Sequence, residues 1–371
     1  MSGPTIQNGY LVLADLSGFT PFMASTELDH AQGILVNLLG VLRNRLTPTL
    51  QLAEIEGDAL FLYAPGHRLK RGETLLELIE STYVAFRDKL RTMQHNATCA
   101  CAACRAIPTL DLKFITHCGE FVLQDLTGAP KPFGNAVNLA HRLLKNRVTE
   151  STGWNAYALF TESALARMAI SPDGIHDDTL SYEHLGEVAV GAIDLHARYR
   201  ELTAERFAFL TEGDAHFTMH RRFPASSPRL WEYLSDPDRR GQWELGSDWH
   251  ARQRPGGRAG RGAQNHCANS GFIEEVLDWR PFEYFTVRMT WGFLRMVVTS
   301  ELRPADDATD LRWSMCFEGA APRLLRASAC RVFARHFVRT QARFERLDRL
   351  LHEADDWRGE GTGEVRDNGR P

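Results

Sequence analysis

The sequence has no long apolar run. Its longest apolar stretches, Tyr10–Ala14 and Met296–Val298, are far short of the roughly 20 residues that cross a bilayer as a helix. No membrane span is therefore expected. Met1–Tyr10 carries no cationic segment followed by an apolar core, so no secretory leader is read there and a cytoplasmic protein is expected. Charge of one sign is not in excess: 43 Lys+Arg stand against 47 Asp+Glu, a formal net charge of −4. That excludes a nucleic-acid coat, and nucleic acid is not expected as a partner. Internal repeats are absent. Cysteine is sparse, with seven residues, an odd number, three of them crowded into Cys99–Cys104. In a reducing compartment that crowding suits metal or free thiols before disulfides. What remains is ordinary: 371 residues, 43% hydrophobic and 24% charged. This is enough apolar material for sizeable cores, and the length fits two domains.

Tyr10–Asp15 reads as a buried strand that stops at an acid and a Ser-Gly turn. Thr26–Leu46 spaces Ile34, Leu35, Leu38, Leu39 and Leu42 as an amphipathic helix. Leu50–Ile55 and Ala59–Ala64 are strands joined by a tight hairpin at Glu56-Gly57-Asp58. A helix over Leu75–Met93, a strand over Thr109–His117 and a helix opening at Ala136–Leu144 follow. The pattern changes near Thr211–Asp214. Beyond it come a strand at His216–Phe223 and a helix at Ser226–Leu234, with Ser226 and Ser227 as capping candidates. Strands are expected at Ser270–Leu277, Phe282–Trp291, Arg295–Leu302 and Asp310–Phe317, then one long helix over Arg323–Ala354. Arg252–Gly262, rich in Arg and Gly, reads as a mobile loop. The expected organisation is a first domain at 8–210, a second at 215–355 and a disordered tail at 356–371.

Three features of the first region carry chemistry. Asp15 sits at a strand end before Ser17-Gly18-Phe19-Thr20. A carboxylate there, beside a helix start, suits a divalent cation and a phosphate. The plain alternative is a helix cap. Asp58 tips the hairpin. It is a turn residue unless the fold brings it beside Asp15, when two carboxylates can hold two Mg²⁺ over a triphosphate. Asn138 and Arg142 are four apart and share one helix face. An amide and a guanidinium there can orient a ribose and neutralise a phosphoryl transition state, or can be a solvated face.

Together these features resemble the class III nucleotidyl cyclases, the adenylyl and guanylyl cyclase catalytic domain. Leu13–Thr20 (LADLSGFT) is similar to that family's first metal motif, Glu54–Leu60 (EIEGDAL) to its second, and Gly134–Leu143 (GNAVNLAHRL) to its Asn/Arg helix. The intervals fit too, 43 residues from Asp15 to Asp58 and 80 from Asp58 to Asn138. Glu183–Tyr199 looks like the family's closing strands, so the resemblance spans residues 8–200. It implies an α+β, ferredoxin-like domain working as a head-to-tail homodimer on a nucleoside triphosphate. By that resemblance Asp15, the Leu16 carbonyl and Asp58 hold two Mg²⁺ (or Mn²⁺) per site, while Asn138 and Arg142 come from the other protomer. Glu54 and Lys131 stand at the base-selecting positions, where adenylyl cyclases carry Lys and Asp or Thr. Glu54 can accept from guanine and Lys131 can donate to its O6, favouring GTP over ATP. Alternatively the two pair with each other and close the pocket. His141 replaces a small residue usual in the family.

His95, Cys99, Cys101 and Cys104 can complete a tetrahedral Zn²⁺ site, which would be structural. His117 or Cys118 is an alternative fourth ligand. Free thiols in an Ala-rich loop are equally open, and a redox disulfide is the lesser alternative. In the second region Phe223–Glu244 resembles the start of START-like domains of the polyketide cyclase/dehydrase superfamily, covering 215–355. That resemblance implies a helix-grip fold around an apolar cavity. Trp291, Phe293, Met296, Trp313, Met315 and Phe317 are its candidate lining, or plain core. The function expected is a Mg²⁺-dependent cyclase making a 3′,5′-cyclic nucleotide and pyrophosphate, regulated by a small apolar ligand. The alternative is a catalytically inactive cyclase-like dimer that binds nucleotide or a hydrophobic ligand.

Overall fold

The run Tyr10–Ala14 is wholly buried because it forms the middle of β1 (Ile6–Ser17), an interior strand of an eight-stranded sheet. The computed structural model describes residues 6–66, 69, 72–96, 99, 101–125, 130–172, 174–204, 208–244, 246–319, 323–339 and 342–353. They fall into two units. The first runs to residue 205 and includes 256–259; the second holds the rest. The chain is of α+β class, with one sheet per unit.

In the first unit β1 leads through α1 (Phe19–Ala24) into α2 (Leu28–Leu46). The hairpin β2 (Gln51–Glu56) and β3 (Ala59–Pro65) follows, then α3 (Gly72–Asn96), α4 (Ala102–Ala106) and a 3₁₀ turn at Ile107–Thr109. β4 (Asp111–Asp125), β5 (Pro130–Phe133), α5 (Asn135–Arg142), α6 (Val148–Thr152), β6 (Tyr157–Thr161) and α7 (Glu162–Met168) come next. β7 (His176–Tyr182), β8 (Gly186–Asp194) and α8 (Leu195–Thr203) complete the unit. The strand order is β2-β3-β1-β4-β6-β8-β7, with β5 paired to β4. β1 pairs antiparallel with β3 and β4, so Asp15 lies opposite Ala59 on one side and Lys113 on the other. α5 lays Ala136, Ala140 and Leu143 against a core of Leu11, Leu13, Phe61, Ile115 and Phe121. Ala136 and Ala140 keep the helix close to the sheet, and the helical period then puts Asn138 and Arg142 on the outward face.

The Arg/Gly-rich stretch is not a free loop. β10 (Trp249–Gln253) extends into it and a 3₁₀ turn occupies Pro255–Gly257. Arg258 then donates two hydrogen bonds, 2.7 and 2.8 Å, to the fully buried carboxylate of Glu80 on α3. Arg198 also reaches Glu80, at 2.8 Å. Burial would raise the Glu80 carboxyl, but the two guanidiniums outweigh it and hold it at about 2.

The second unit runs β9 (Phe217–Phe223), α9 (Ser227–Ser235), α10 (Pro237–Trp243), β10, β11 (Gln264–Cys267) and β12 (Ile273–Arg280). β13 (Tyr284–Trp291), β14 (Leu294–Ala305), β15 (Ala308–Phe317), α11 (Arg323–Arg339) and α12 (Arg343–Glu353) follow. Its seven strands pair antiparallel in the order β10-β11-β12-β13-β14-β15-β9. The single helix expected over Arg323–Ala354 is two helices, and Ala342 takes a left-handed φ of 43° just before α12. No Gly or Pro marks the break. Tertiary packing accounts for it: Phe344, Leu347 and Leu351 are buried, and Phe344 meets Trp243, Phe223 and Trp313 in tilted and edge-on contacts, 5.5–6.3 Å between ring centres. Ser226 occupies the N-cap of α9 but its side chain makes no capping bond. The Ser227 hydroxyl pairs instead with Thr309 at 3.2 Å. The tail expected at 356–371 lies outside the described residues.

Candidate functional site

Asp58 follows Gly57, whose φ of 63° closes the β2–β3 hairpin. The register that sets Asp15 opposite Ala59 leaves Asp58 next to Asp15. Burial raises the Asp58 carboxyl, and the negative charge of Asp15 raises it further. A third group enters that sequence reasoning missed. Lys113 Nζ lies 2.9 Å from the Asp15 carboxylate. Burial pulls the Lys113 ammonium down, but Asp15, with Asp58 behind it, outweighs this and raises it overall. Lys113 is 98 residues from Asp15 in the chain and becomes its neighbour only through β1–β4 pairing. Leu16, next in β1, is buried. Gly18 takes φ 80°, and a Cβ there would lie 2.9 Å from the Thr109 carbonyl oxygen, so the chain after Asp15 packs against the 3₁₀ turn before β4.

Glu54 and Lys131 do meet, 2.9 Å apart. A register shift between Leu52 and Glu54 turns the strand there, and β5 brings Lys131 alongside. Both side chains are nearly half exposed, 46% and 42%, so the pair contributes less than about 1 kcal/mol and opens easily. His141 sits edge-on to Phe61, 4.9 Å between ring centres, and 3.5 Å from Glu56. Asn138 and Arg142 lie on the outward face of α5, both exposed. Among the described residues the Arg142 guanidinium has no ion-pair partner.

Among the described residues the cysteine cluster gathers a histidine from a distant element. His30, on α2, joins Cys99, Cys101 and Cys104, with all four ligand atoms within 4.8 Å. The His95 side chain lies outside the described residues. His117 bonds to Thr161 at 3.0 Å and Cys118 faces Asn8, so neither joins the cluster. No local signal points to His30, which is 71 residues before Cys101.

The second unit encloses a cavity of about 250 Å³, just below the ~300 Å³ at which small-molecule sites commonly begin. Met296, Trp313 and Met315 line it together with Phe285, Val287 and Val298. Trp291, Phe293 and Phe317 do not. Gly292, with φ 57°, turns the β13–β14 hairpin between Trp291 and Phe293, leaving the first 54% exposed and the second fully so. Phe317 packs on Phe333 instead, 5.7 Å between ring centres. One part of the wall is ionic. Arg240, buried, bonds Glu274 at 2.5 Å and Glu244 at 3.1 and 3.2 Å, and its guanidinium lies 4.1 Å over Trp249. Arg240 and Glu244 are four apart on and just past α10, a helical pairing that was available in the sequence. Among the described residues no helix is long and apolar enough to cross a membrane.

Residues 35–152 match a family described as "Protein of unknown function (DUF2652)", and residues 214–352 match "Polyketide cyclase / dehydrase and lipid transport". The chain is 29% identical over 150 residues to an uncharacterized protein of Mycobacterium tuberculosis, covering 39% of this chain and 66% of that one. Among solved structures it is similar to a bacterial light-regulated adenylyl cyclase at 11% identity, covering 54% of this chain and 57% of that one, with a TM-score of 0.39. It is also similar to the guanylyl cyclase Cya2 at 15% identity, covering 51% and 93%, with a TM-score of 0.40. The chain thus spans less than two thirds of the mycobacterial protein and of the light-regulated cyclase. At these scores the functional reading has to stand on the residues of the site.

Proposed function

We propose that the first unit is a nucleotidyl cyclase of the class III type, turning a nucleoside triphosphate into a 3′,5′-cyclic nucleotide and pyrophosphate. The observation that carries this is the convergence of Asp15 and Asp58, which the β1–β3 register sets side by side by placing Asp15 opposite Ala59. Two such hard oxygen donors, partly offset by one ammonium from Lys113, fit divalent cations. In this reading Asp15, the Leu16 carbonyl and Asp58 hold two Mg²⁺ or Mn²⁺ ions, which supply Lewis acidity and charge neutralisation to the triphosphate.

The remaining roles fall to side chains. Asn138 orients the ribose, so that its 3′-hydroxyl passes its proton to solvent water and its oxygen bonds to the α-phosphorus as the bond to the β-phosphate oxygen breaks and pyrophosphate leaves. Arg142 neutralises the charge that builds on the phosphoryl oxygens. Glu54 and Lys131 release each other to accept the guanine edge, which favours GTP over ATP. Asn138 and Arg142 are exposed, which supports a head-to-tail homodimer in which they complete the partner's site. The second unit takes a small apolar ligand that regulates turnover. Two arginines and two glutamates on the cavity wall balance in charge and favour a neutral molecule with one polar end.

One observation favours a second reading. Lys113 already occupies the Asp15 carboxylate, and Glu54 is already paired, as in a nucleotide- or ligand-binding sensor without turnover. Incubation of the protein with each of four nucleoside triphosphates and Mn²⁺ or Mg²⁺ separates the two. Cyclic nucleotide from GTP supports the cyclase. No product from any of the four, beside an active control cyclase, sinks it and leaves the sensor. In a cyclase, Lys113→Met lowers the Mn²⁺ needed for half-maximal turnover by about tenfold, roughly 1.4 kcal/mol.

A further inference from the structure

His30 lies in the first turn of α2, while Cys99, Cys101 and Cys104 straddle the start of α4. His30 Nδ1 is 3.0 Å from Cys101 Sγ and 4.0 Å from Cys104 Sγ. Two backbone N–H groups point at the sulfurs: that of Cys101 donates to Cys99 Sγ and that of Cys104 to Cys101 Sγ, each at 3.4 Å. Such donors stabilise negative sulfur. The nearby carboxylate of Glu27 is committed elsewhere, accepting from the N–H groups of Ala102 and Ala103 at 3.2 and 3.0 Å.

We propose that His30, Cys99, Cys101 and Cys104 bind one structural Zn²⁺. A tetrahedron with Zn–S near 2.3 Å and Zn–N near 2.0–2.1 Å has edges of about 3.5–3.8 Å. The four ligand atoms, from 3.0 Å apart to within 4.8 Å, bracket those edges and reach them by small rotamer changes. Three sulfurs and an imidazole select zinc over the hard cations that suit carboxylates. Four protein ligands leave no open coordination position, so the ion has no substrate role. It joins the first turn of α2 to the start of α4, the two elements that Glu27 already links. α4 runs into the 3₁₀ turn whose Thr109 carbonyl packs against Gly18, so the ion also braces the chain after Asp15. The site stands whether or not that chain belongs to a cyclase.

The test is the zinc content of the full chain, loaded with Zn²⁺, desalted and measured by mass spectrometry of the metal. About one zinc per chain is expected, as for a single four-ligand site. Cys101→Ser and Cys104→Ser should each lower it at least tenfold. His30→Cys, which restores a soft fourth ligand, and His95→Ala should keep it. Titrating the wild-type thiols with a mercurial should release the zinc in step with the cysteines, a readout that needs no variant to fold. Zinc far below one per chain after loading overturns the proposal, as does zinc unchanged in both cysteine variants. A disulfide among the three cysteines in the zinc-loaded protein overturns it too. Loss of zinc in His95→Ala overturns the assignment of His30.

Discussion

The two units put their polar chemistry in opposite places. In the first, Asp15, Asp58, Asn138 and Arg142 stand at strand ends, a hairpin tip and an outward helix face. In the second, Arg240, Glu244 and Glu274 are buried in the wall of an apolar cavity. A site at the rim is completed by something brought from outside, such as a substrate or a second chain. Its residues therefore sit in short contiguous segments where elements end. A site in the interior is completed by the fold itself: Arg240 and Glu244 come from α10 and its end, Glu274 from β12, and the apolar lining from every second position of β13, β14 and β15.

The largest effect should come where the first unit behaves like the second and buries charge. Glu80 lies between Arg198 and Arg258, as Arg240 lies between Glu244 and Glu274. Glu80→Ala leaves the buried Arg258 guanidinium without its carboxylate, while Arg198 keeps Glu201, and should cost about 3 kcal/mol in urea denaturation. A loss under about 1 kcal/mol would mean that the pair is solvated like a surface bridge. The Glu80 carboxyl sits at about 2 in the folded chain against an ordinary 4.5. Its contribution is therefore whole above pH 4.5 and fades as pH falls from 4.5 towards 2. Glu80→Gln should flatten that acid limb.

Next in size, Arg142→Ala should lower turnover by about 10²–10³-fold, roughly 2.7–4 kcal/mol. Its melting temperature should not move, because the side chain is exposed. A melting shift without loss of turnover would reassign Arg142 to structure. In the second unit, Met315→Ala enlarges an existing cavity and should cost about 2 kcal/mol, the low end for such truncations. It should also increase binding of the apolar dye anilinonaphthalene sulfonate. Phe293→Ala should change neither quantity. An equal effect of the two would contradict the cavity described here. The smallest effect belongs to Glu54→Ala, under about 1 kcal/mol in stability, while the ratio of GTP to ATP turnover falls.

The same contrast explains what could be read from sequence. The adjacency of Asp15 and Asp58 was legible because Asp15 lies near the end of one apolar strand and Asp58 in the turn just before another, so pairing β1 with β3 leaves them side by side. The pairing of Glu54 with Lys131 is one of the two outcomes left open by the resemblance, which sets both at base-selecting positions although they lie on β2 and β5. Lys113 and His30 were not legible. Each reaches its partner only through tertiary structure, and neither lies in a segment with a functional pattern of its own. The apolar cavity was half legible. Met296, Trp313 and Met315 follow strand alternation inward, whereas Trp291 and Phe293 flank the turn at Gly292, which puts both outside. The break before α12 had no sequence signal, because the burial of Phe344 and its neighbours is decided by residues as distant as Phe223.

The central claim is that the acid pair of one chain works with the Asn/Arg face of another. Purified Asp58→Ala and Arg142→Ala proteins, each inactive alone, should be mixed and assayed for cyclic nucleotide. With random pairing, half of the dimers are mixed and each keeps one intact site of two, so about a quarter of wild-type turnover should return. A mixture as inactive as its parts, beside an active wild-type chain, would contradict the shared site.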